Sequence, residues 1–357
     1  MQARDYQDEA KRTDNIPWNE GHGSEVAILG VIGEFGSLAS VIKKHQRDKD
    51  AYTHYREDFF EELGDILWYV TAIATRFGIV FSEWSVSPKN SSNIHEGFYK
   101  LNDSIIELSK SRENLRRKEC NELIVTTINE TLDCLQDLSQ LIGSSISEIA
   151  KAGIDKTLAY WSGFQNFPAR QYDNKYPIYE QLPRQFSVEF QSISEGKAVI
   201  MMMNGLAIGD RLTDNSNDDD GYRFHDVFHI TGVAMLGWSP VFRRILKLKR
   251  KSIPRTDEVQ DGARAAIVEE AVINHIFDYA RGCKFLEGMR RVDLDLIKRV
   301  KKLVRGYEVE ECEPWEWNMC ILKSYEIFRA LKKQGGGRLI VDAEKRSIDF
   351  EKLPPIL

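Results

Sequence analysis

Apolar residues recur at helical spacing through most of the first 165 positions of the chain. The clearest stretch runs from about Tyr52 to Gly78, where the recurring apolar residues are Phe59, Leu63, Ile66, Val70, Ile73 and Phe77. This period places them on one face of an α-helix. Similar patterns predict helices over residues 3–13, 24–46, 94–118, 121–142 and 146–162. We therefore expect the N-terminal part to be all-helical.

The pattern changes near residue 165, where QNFPARQYDNKYPIYEQLPR carries three prolines and four aromatic residues without periodicity. We place a domain boundary here, with one domain over 1–168 and another over 180–357. Beyond it, Phe186, Val188 and Phe190 alternate with polar residues as in a half-buried strand, and KAVIMMMNG predicts a second strand. Helical patterns cover 224–250, 258–289, 293–305 and 314–333, and two short strands are expected near 338–342 and 347–350. The predicted fold class is mainly α, an all-α helical bundle followed by a mostly helical α+β domain.

Composition and charge narrow the classes of protein to consider. The chain is 42% hydrophobic and 29% charged, which is typical of a globular protein rather than a disordered or fibrous one. A net charge of -6 gives no global attraction to nucleic acid or anionic lipid. The five cysteines form no CxxC or CxxH pair, which favours reduced thiols in a cytoplasmic protein. The polar N-terminus is unlike a secretory signal, and we expect no window to reach the apolar length of a membrane helix.

One carboxylate stands alone in an apolar segment. Glu34 is the only charged residue in VAILGVIGEFGSLASVI, residues 26–42. A helix that is apolar nearly all round is usually buried, and a buried carboxylate is costly unless a cation or strong donors compensate it. Gly30, Gly33 and Gly36 recur beside it and would allow another backbone or a ligand to approach closely. Glu34 is therefore expected to have a specific partner.

The next predicted helix carries four acidic residues on one side. Asp58, Glu61, Glu62 and Asp65 fall within roughly a 100° arc at helical spacing. Carboxylates this close repel one another unless a hard cation such as Mg²⁺ lies among them. The alternatives are that Asp58 and Glu61 belong to a solvated face, and that Glu34 and Asp65 pair with an arginine or lysine. The pattern favours a metal site at Glu34 and Asp65.

The segments GEFGSLASVIKK and EELGDILWYVTAIA resemble the MazG-like, all-α nucleotide pyrophosphohydrolase superfamily, whose pattern is ExxE on one helix and ExxD on the next. By position, Glu34 corresponds to the first acidic residue, and Glu62 with Asp65 forms the ExxD. Ser37 stands where the family usually has its second glutamate, and Glu61 and Asp58 are the alternative ligands for that place. In EIAKAGIDKTLAYW, Lys156 is the one substrate-facing residue of the family's closing segment that is kept. Gly153 and Tyr160 stand at the other two positions.

The resemblance implies an activity. It predicts Mg²⁺-dependent cleavage, with Mn²⁺ as a substitute ion, of a ribo- or deoxyribonucleoside triphosphate into the monophosphate and pyrophosphate. Glu34, Glu62 and Asp65 would be catalytic, and Glu34, Glu61, Glu62 and Asp65 would be the metal ligands. Lys43, Lys44 and Lys156 are candidates to contact phosphate, with the alternative that they are solvated lysines at a helix end, and Trp18 is a candidate to stack on the base. The resemblance also implies a homo-oligomer, a dimer or tetramer, and a nucleotide-depleting role in prokaryotic stress or antiphage loci, where a partner protein is conceivable.

In the second domain, GDRLTDN, GYRFHDVFHITGVAMLGWSP and DGARAAIVEEAVINHIFDYA resemble the C-terminal domain found behind such pyrophosphohydrolases. This resemblance implies an architecture and no particular activity. His225, Asp226 and His229 have HDxxH spacing, which puts two histidines one helical turn apart. With Glu269, Glu270 and Asp278 they form a candidate second metal site. The alternative is that these histidines are core or capping residues.

Three further interpretations stay open at the sequence level. Seven of the thirteen residues from Arg243 to Arg255 are basic, which indicates either a phosphate- or RNA-binding patch or a solvated or subunit-facing surface. The first domain could bind nucleotide without turning it over, as a sensor, because of Ser37 and Gly153. A third possibility places the main chemistry at the HDxxH cluster. Membrane association is not expected, and nucleic-acid binding is disfavoured.

Overall fold

The computed structural model describes residues 1–19, 22–84, 90–161 and 170–353. The chain divides into two compact units, Met1–Trp161 and Ser162–Leu357. The predicted boundary lies partly on residues 162–169, which are outside the described residues. The predicted fold class is confirmed, because the chain is mainly helical and its one described sheet belongs to the second unit.

The described part of the first unit contains seven α-helices. They are α1 (Ala3–Thr13), α2 (Gly23–Asp48), α3 (Tyr55–Phe77), α4 (Ile94–Lys110), α5 (Arg112–Arg117), α6 (Glu122–Leu141) and α7 (Ile146–Trp161). α3 lies at the centre and contacts α1, α2, α6 and α7. Its C-terminal half is apolar on every side, and Ile66, Leu67, Val70 and Ile73 are fully buried. The apolar side chains on every side of this half explain why α3 is surrounded by other helices, since each apolar face needs a neighbour that covers it.

α2 is covered on one side only. Val31 and Leu38 are buried against the rest of the unit, but Leu29 is 66% exposed and Ile32 43% exposed. The expectation that this helix is buried all round was therefore wrong, since in a single chain one apolar face has no cover. The segment Gly23–Ala51 is also long and apolar enough to pass for a membrane span, contrary to the sequence expectation, because Glu34 is the only charge in its central seventeen residues. One such helix is weak support for a span.

The second unit is built on an antiparallel sheet of five strands. They are β1 (Gln185–Ile193), β2 (Ala198–Met203), β3 (Leu206–Leu212), β4 (Gly336–Asp342) and β5 (Ser347–Glu351), in the order β3-β2-β1-β4-β5. Phe190 pairs with Met201 on β2 and with Gly337 on β4. The pairing of β1 with β4 thus joins the two ends of the unit in the sheet. Sequence analysis missed β3, whose residues are mostly exposed and show no alternation.

Six helices lie between β3 and β4 along the described chain. They are α8 (Asp226–Leu236), α9 (Pro240–Leu246), α10 (Pro254–Val259), α11 (Ala263–Gly282), α12 (Leu294–Leu303) and α13 (Pro314–Gln334). The helical pattern predicted over 224–250 is two helices. α8 ends at Leu236, with Gly237 as its C-cap. The Ser239 side chain caps α9 by accepting from the backbone N–H of Phe242, with Pro240 at the first position. α8 is buried throughout its length, and α13 packs against it.

Candidate functional site

Three carboxylates meet between α2 and α3. One oxygen each from Glu34, Glu62 and Asp65 lies within 4.8 Å of the others, and all three residues are half-buried. Glu62 and Asp65 share a face of α3 because they are three residues apart. Glu34 lies on the side of α2 that packs toward α3, although it is less buried than the sequence suggested. The structure therefore brings together the three residues predicted as catalytic.

Lys156 supplies a positive charge next to this cluster. Its ammonium lies 2.7 Å from each carboxylate oxygen of Asp65 and 3.0 Å from Oε1 of Glu61. α7 approaches α3 closely at Gly153, where an added Cβ would lie 3.9 Å from the backbone of Gly64. Lys156 follows Gly153 by three residues, and Asp65 follows Gly64 directly, so this close approach sets up the ion pair. Asp65 therefore belongs to the carboxylate cluster and is also paired with a lysine, while metal ligation at Asp65 stays a prediction.

Two tyrosines beside the cluster were not found from the sequence. The ring of Tyr69 covers Gly30 so closely that an added Cβ there would lie 2.2 Å from a ring carbon. Burial, followed by the charges of Glu34 and Asp65, raises the pKa of Tyr69. Burial and the charge of Asp65 also raise the pKa of Tyr6. The sequence does contain a signal for Tyr69, because this residue follows Asp65 by four positions and must lie on the same helical face.

The remaining predicted residues lie around the cluster at different distances. Asp58 accepts a hydrogen bond of 2.6 Å from the Tyr52 hydroxyl and is not one of the three clustered carboxylates. Lys43 and Lys44 are exposed near the end of α2, about 14 and 15 Å along the helix axis from Glu34. Ser37 is half-buried, one turn after Glu34.

Trp18, predicted to stack on a base, already has partners. Its indole N–H donates to the carboxylate of Asp14 at 2.8 Å, and the Arg76 guanidinium lies 5.1 Å from the ring centre. One face of the indole is therefore occupied. A base would have to use the other face or displace Arg76.

A second cluster lies in the second unit, where α8 faces α11. His225, Asp226 and His229 each offer an atom within 4.8 Å of the others, and all three residues are buried. Nδ1 of His229 lies 2.7 Å from Oε1 of Glu269, and its Nε2 lies 3.5 Å from Oε1 of Glu270. The HDxxH residues and the Glu269–Glu270 pair therefore lie together, although His229 and Glu269 are 40 residues apart in the chain. That this cluster binds a metal stays a prediction.

Asp278 does not join this cluster. It lies on α11 about 12 Å beyond Glu270, and its carboxylate is 77% exposed and 3.5 Å from the Arg281 guanidinium. Asp278 follows Glu270 by eight residues, which is more than two helical turns, so its side chain lies too far along α11 to reach the cluster.

The basic stretch Arg243–Arg255 is not a uniform surface. Arg243 is buried and pairs with Asp173 at 2.6 Å, and Arg250 is buried between Asp261 at 2.7 Å and Glu308 at 2.8 Å. Two of its seven cations are thus committed to internal ion pairs, which weakens the reading as a phosphate- or RNA-binding patch.

A family model and a phage protein each match part of this chain. The family model described as the MazG C-terminal domain matches residues 167–354, which is more than half of the chain. The gene 37 protein of Mycobacterium phage L5 is 37% identical over 62 residues, which are 17% of this chain and 54% of that protein. The chain thus spans about half the length of this relative. No solved structure matches the chain.

Proposed function

The chain belongs to the MazG C-terminal domain family, and on this basis we propose that it is a Mg²⁺-dependent pyrophosphohydrolase that cleaves a ribo- or deoxyribonucleoside triphosphate into the monophosphate and pyrophosphate. Family membership suggests a hydrolase of nucleotides. The observation that carries the finer proposal is the convergence of Glu34, Glu62 and Asp65 between two helices of the first unit.

The donor set fits the proposed ion. Mg²⁺ prefers oxygen ligands at 2.0–2.1 Å, so oxygens on opposite sides of one ion are about 4.2 Å apart. Neighbouring ligands of one ion are closer, about 2.9 Å apart, so the three carboxylate oxygens, which lie within 4.8 Å of one another, would have to move closer together by side-chain rotation to share one ion. They are half-buried, so water and a triphosphate can reach them. Mg²⁺, or Mn²⁺ in its place, would neutralise the triphosphate and activate a water molecule.

The protein's own residues have separate tasks in this reaction. Glu34, Glu62 and Asp65 would hold the cation, which would orient the α-phosphate. Glu61, outside these three but within 3.0 Å of Lys156, accepts the proton of the attacking water. Lys156, which lies 2.7 Å from Asp65, would contact a phosphate oxygen once Asp65 serves as a metal ligand. The water oxygen bonds to the α-phosphorus, the bond from that phosphorus to the α,β-bridging oxygen breaks, and pyrophosphate leaves.

A second function, nucleotide sensing without turnover, is favoured by one residue. Ser37 offers a hydroxyl where a carboxylate would complete the metal site. In a sensor, nucleotide binds in the presence of Mg²⁺ and no pyrophosphate appears. Ser37→Glu then creates or strongly raises hydrolysis, whereas in an active enzyme it changes the rate modestly.

We also propose that two copies pack through the open face of α2. Val26, Leu29 and Ile32 lie on this face and are 38%, 66% and 43% exposed. Such contiguous apolar exposure favours an interface. Light scattering should show a dimer or tetramer that Leu29→Glu dissociates, with Leu206→Glu, at an equally exposed position of β3, as the matched control. A monomeric wild-type protein would contradict this.

Product analysis tests the main proposal. The full chain is incubated with Mg²⁺ and each ribo- and deoxyribonucleoside triphosphate, and the products are separated by ion-exchange chromatography. We expect a monophosphate and pyrophosphate from at least one nucleotide. The product should be lost in Asp65→Ala and kept in Glu57→Gln, which alters an exposed carboxylate of the same helix. Release of orthophosphate, or no product from any nucleotide, would contradict the proposal.

The proposed cellular role is control of nucleotide pools in the cytoplasm, including depletion as a stress or antiphage response with or without a partner protein. The five cysteines form no disulfide, in keeping with a reducing compartment. Expression of the active chain should lower at least one triphosphate pool relative to Asp65→Ala. Unchanged pools would argue against depletion.

A further inference from the structure

We propose that the second unit binds a divalent transition-metal ion of the zinc class through His225, Asp226 and His229. This site is separate from the carboxylate cluster of the first unit and independent of the proposed hydrolysis. Nitrogen ligands distinguish it chemically, because imidazole favours zinc and its neighbours in the first transition row, whereas an all-oxygen set favours Mg²⁺.

The distances match a small coordination sphere. Nε2 of His225 lies 3.3 Å from Oδ1 of Asp226, and Nε2 of His229 lies 3.8 Å from the same oxygen. Ligands about 2.05 Å from a tetrahedral zinc ion are about 3.3 Å apart. The three atoms are therefore close to the positions they would occupy around one ion.

The other ring nitrogens are held as they are in metal sites. Nδ1 of His225 lies 2.9 Å from the carbonyl oxygen of Tyr222, and Nδ1 of His229 lies 2.7 Å from Oε1 of Glu269. Both neighbours are acceptors, so each Nδ1 carries the proton and each Nε2 presents a lone pair. A carbonyl or carboxylate behind a ligating histidine is the usual outer partner in zinc sites. Glu269 is fixed in turn by the backbone N–H of Val241, which donates to Oε2 at 2.8 Å.

A buried atom without a partner points to the ligand. The His229 side chain is fully buried, and its Nε2 has no hydrogen-bond partner among the described residues. The nearest acceptors, Glu270 at 3.5 Å and Asp226 at 3.8 Å, are too far for a good hydrogen bond if Nε2 were protonated. A bound cation would satisfy this nitrogen and both carboxylates together.

The electrostatics of the cluster favour a positive charge at this point. Carboxylate oxygens of Glu269, Glu270 and Asp226 lie 2.7, 3.5 and 3.8 Å from the ring nitrogens of His229, and negative charges this close stabilise a cation among them. The Glu270 side chain is 42% exposed and marks the side from which an ion can enter. Glu270 can serve as the fourth ligand, which would make the site a closed, ion-retaining one.

Metal binding to the full chain tests this inference. Asp65→Asn removes the competing site of the first unit, and zinc is then titrated against a chromophoric chelator. We expect about one tightly bound zinc ion per chain, and a visible Co²⁺ spectrum typical of four- or five-coordination. His225→Ala in this background should weaken zinc binding at least about 100-fold, and Glu269→Gln about 10- to 100-fold. His54→Ala, at an exposed histidine of the first unit, should have no effect.

Folding of each variant is checked by its circular-dichroism spectrum and melting temperature. Should His225→Ala not fold, Asp226→Asn, which keeps the side-chain shape, replaces it and should lose zinc to a similar extent. The inference is overturned if the Asp65→Asn chain holds no zinc. It is equally overturned if folded His225→Ala or Asp226→Asn keeps the affinity and the Co²⁺ spectrum, because the histidine pair would then be an internal ion cluster.

Discussion

Each of the two units has a cluster of acidic residues between a pair of helices, but the clusters differ in their burial and in the partners of their charged groups. In the first unit, the carboxylates are half-buried, and Lys156 lies on Asp65 and Glu61. In the second unit, His225, Asp226 and His229 are buried, and each imidazole has an outer acceptor. The first arrangement suits a cation that arrives with a charged substrate and leaves with the product. The second suits an ion that is held permanently.

The largest effect is expected from removing a ligand of the first cluster. Asp65→Ala should lower pyrophosphate release at least about 1,000-fold, because the cation loses a ligand and the triphosphate charge is no longer neutralised. The measurement is kcat/KM with a coupled pyrophosphate assay, beside Glu57→Gln as control. A rate within tenfold of wild type would show that Asp65 does not hold the catalytic cation. The proposed difference between a catalytic site in the first unit and an ion-retaining site in the second would then be lost.

Thiol reactivity compares an exposed cysteine of the first unit, Cys120, with two buried cysteines of the second, Cys312 and Cys320. Burial, followed by the charge of Glu316, raises the pKa of Cys312 to about 11, and burial raises the pKa of Cys320 to about 12. Since the thiolate is the reactive form, these pKa values alone should slow alkylation at pH 8 about 100-fold or more relative to an unshifted thiol. Mass spectrometry after iodoacetamide treatment should show Cys120, which is exposed, modified first. Rapid modification of Cys320 would mean that the region behind Glu269 is open to solvent.

Packing beside the first cluster can be tested at a glycine. Gly30→Ala would place a methyl group 2.2 Å from the ring of Tyr69, so the ring or α2 must shift. We expect the free energy of unfolding to fall by about 1–3 kcal/mol. Gly282→Ala, at a position of α11 where nothing lies within 4 Å, should change it by less than about 0.5 kcal/mol. Equal effects in a denaturant titration would show that Tyr69 does not cover α2.

The smallest effect is expected at Lys156. Lys156→Gln removes the cation that competes for Asp65, so the affinity for Mg²⁺ without nucleotide should rise about tenfold. At the same time kcat/KM should fall, because a phosphate contact is lost. Calorimetric titration and steady-state kinetics separate the two effects. A fall in Mg²⁺ affinity would show that Lys156 positions Asp65 and does not compete with the ion.

Local patterns predicted most of the fold, and they failed where tertiary packing decides. The period of Phe59 to Phe77 predicted α3, and the alternation around Val188 predicted β1, because each pattern is set by a buried face. β3 was missed because its side chains are largely exposed and carry no such pattern. The break of the 224–250 pattern into α8 and α9 depends on Gly237 and the Ser239–Pro240 cap, which apolar periodicity does not register.

The residues of the candidate sites were also predictable only where they lie close together in the sequence. Glu62 with Asp65, and His225 with His229, are near in sequence, so helical spacing placed them. The pairing of Lys156 with Asp65 spans 91 residues, and that of His229 with Glu269 spans 40. Residue types alone could not predict either pairing. Asp278 was included in the second cluster on residue type alone, and the length of α11 carries it away.

The claim that α2 and α3 share one cation through Glu34 and Asp65 is tested most directly by Mn²⁺ binding, followed by electron paramagnetic resonance of the free ion. The titration uses the His225→Ala chain, so that binding in the second unit does not contribute. We predict that Glu34→Gln and Asp65→Asn each weaken Mn²⁺ binding at least about tenfold, and that Glu57→Gln does not. Mn²⁺ binding in Glu34→Gln as tight as in the parent chain would contradict a site shared between the two helices.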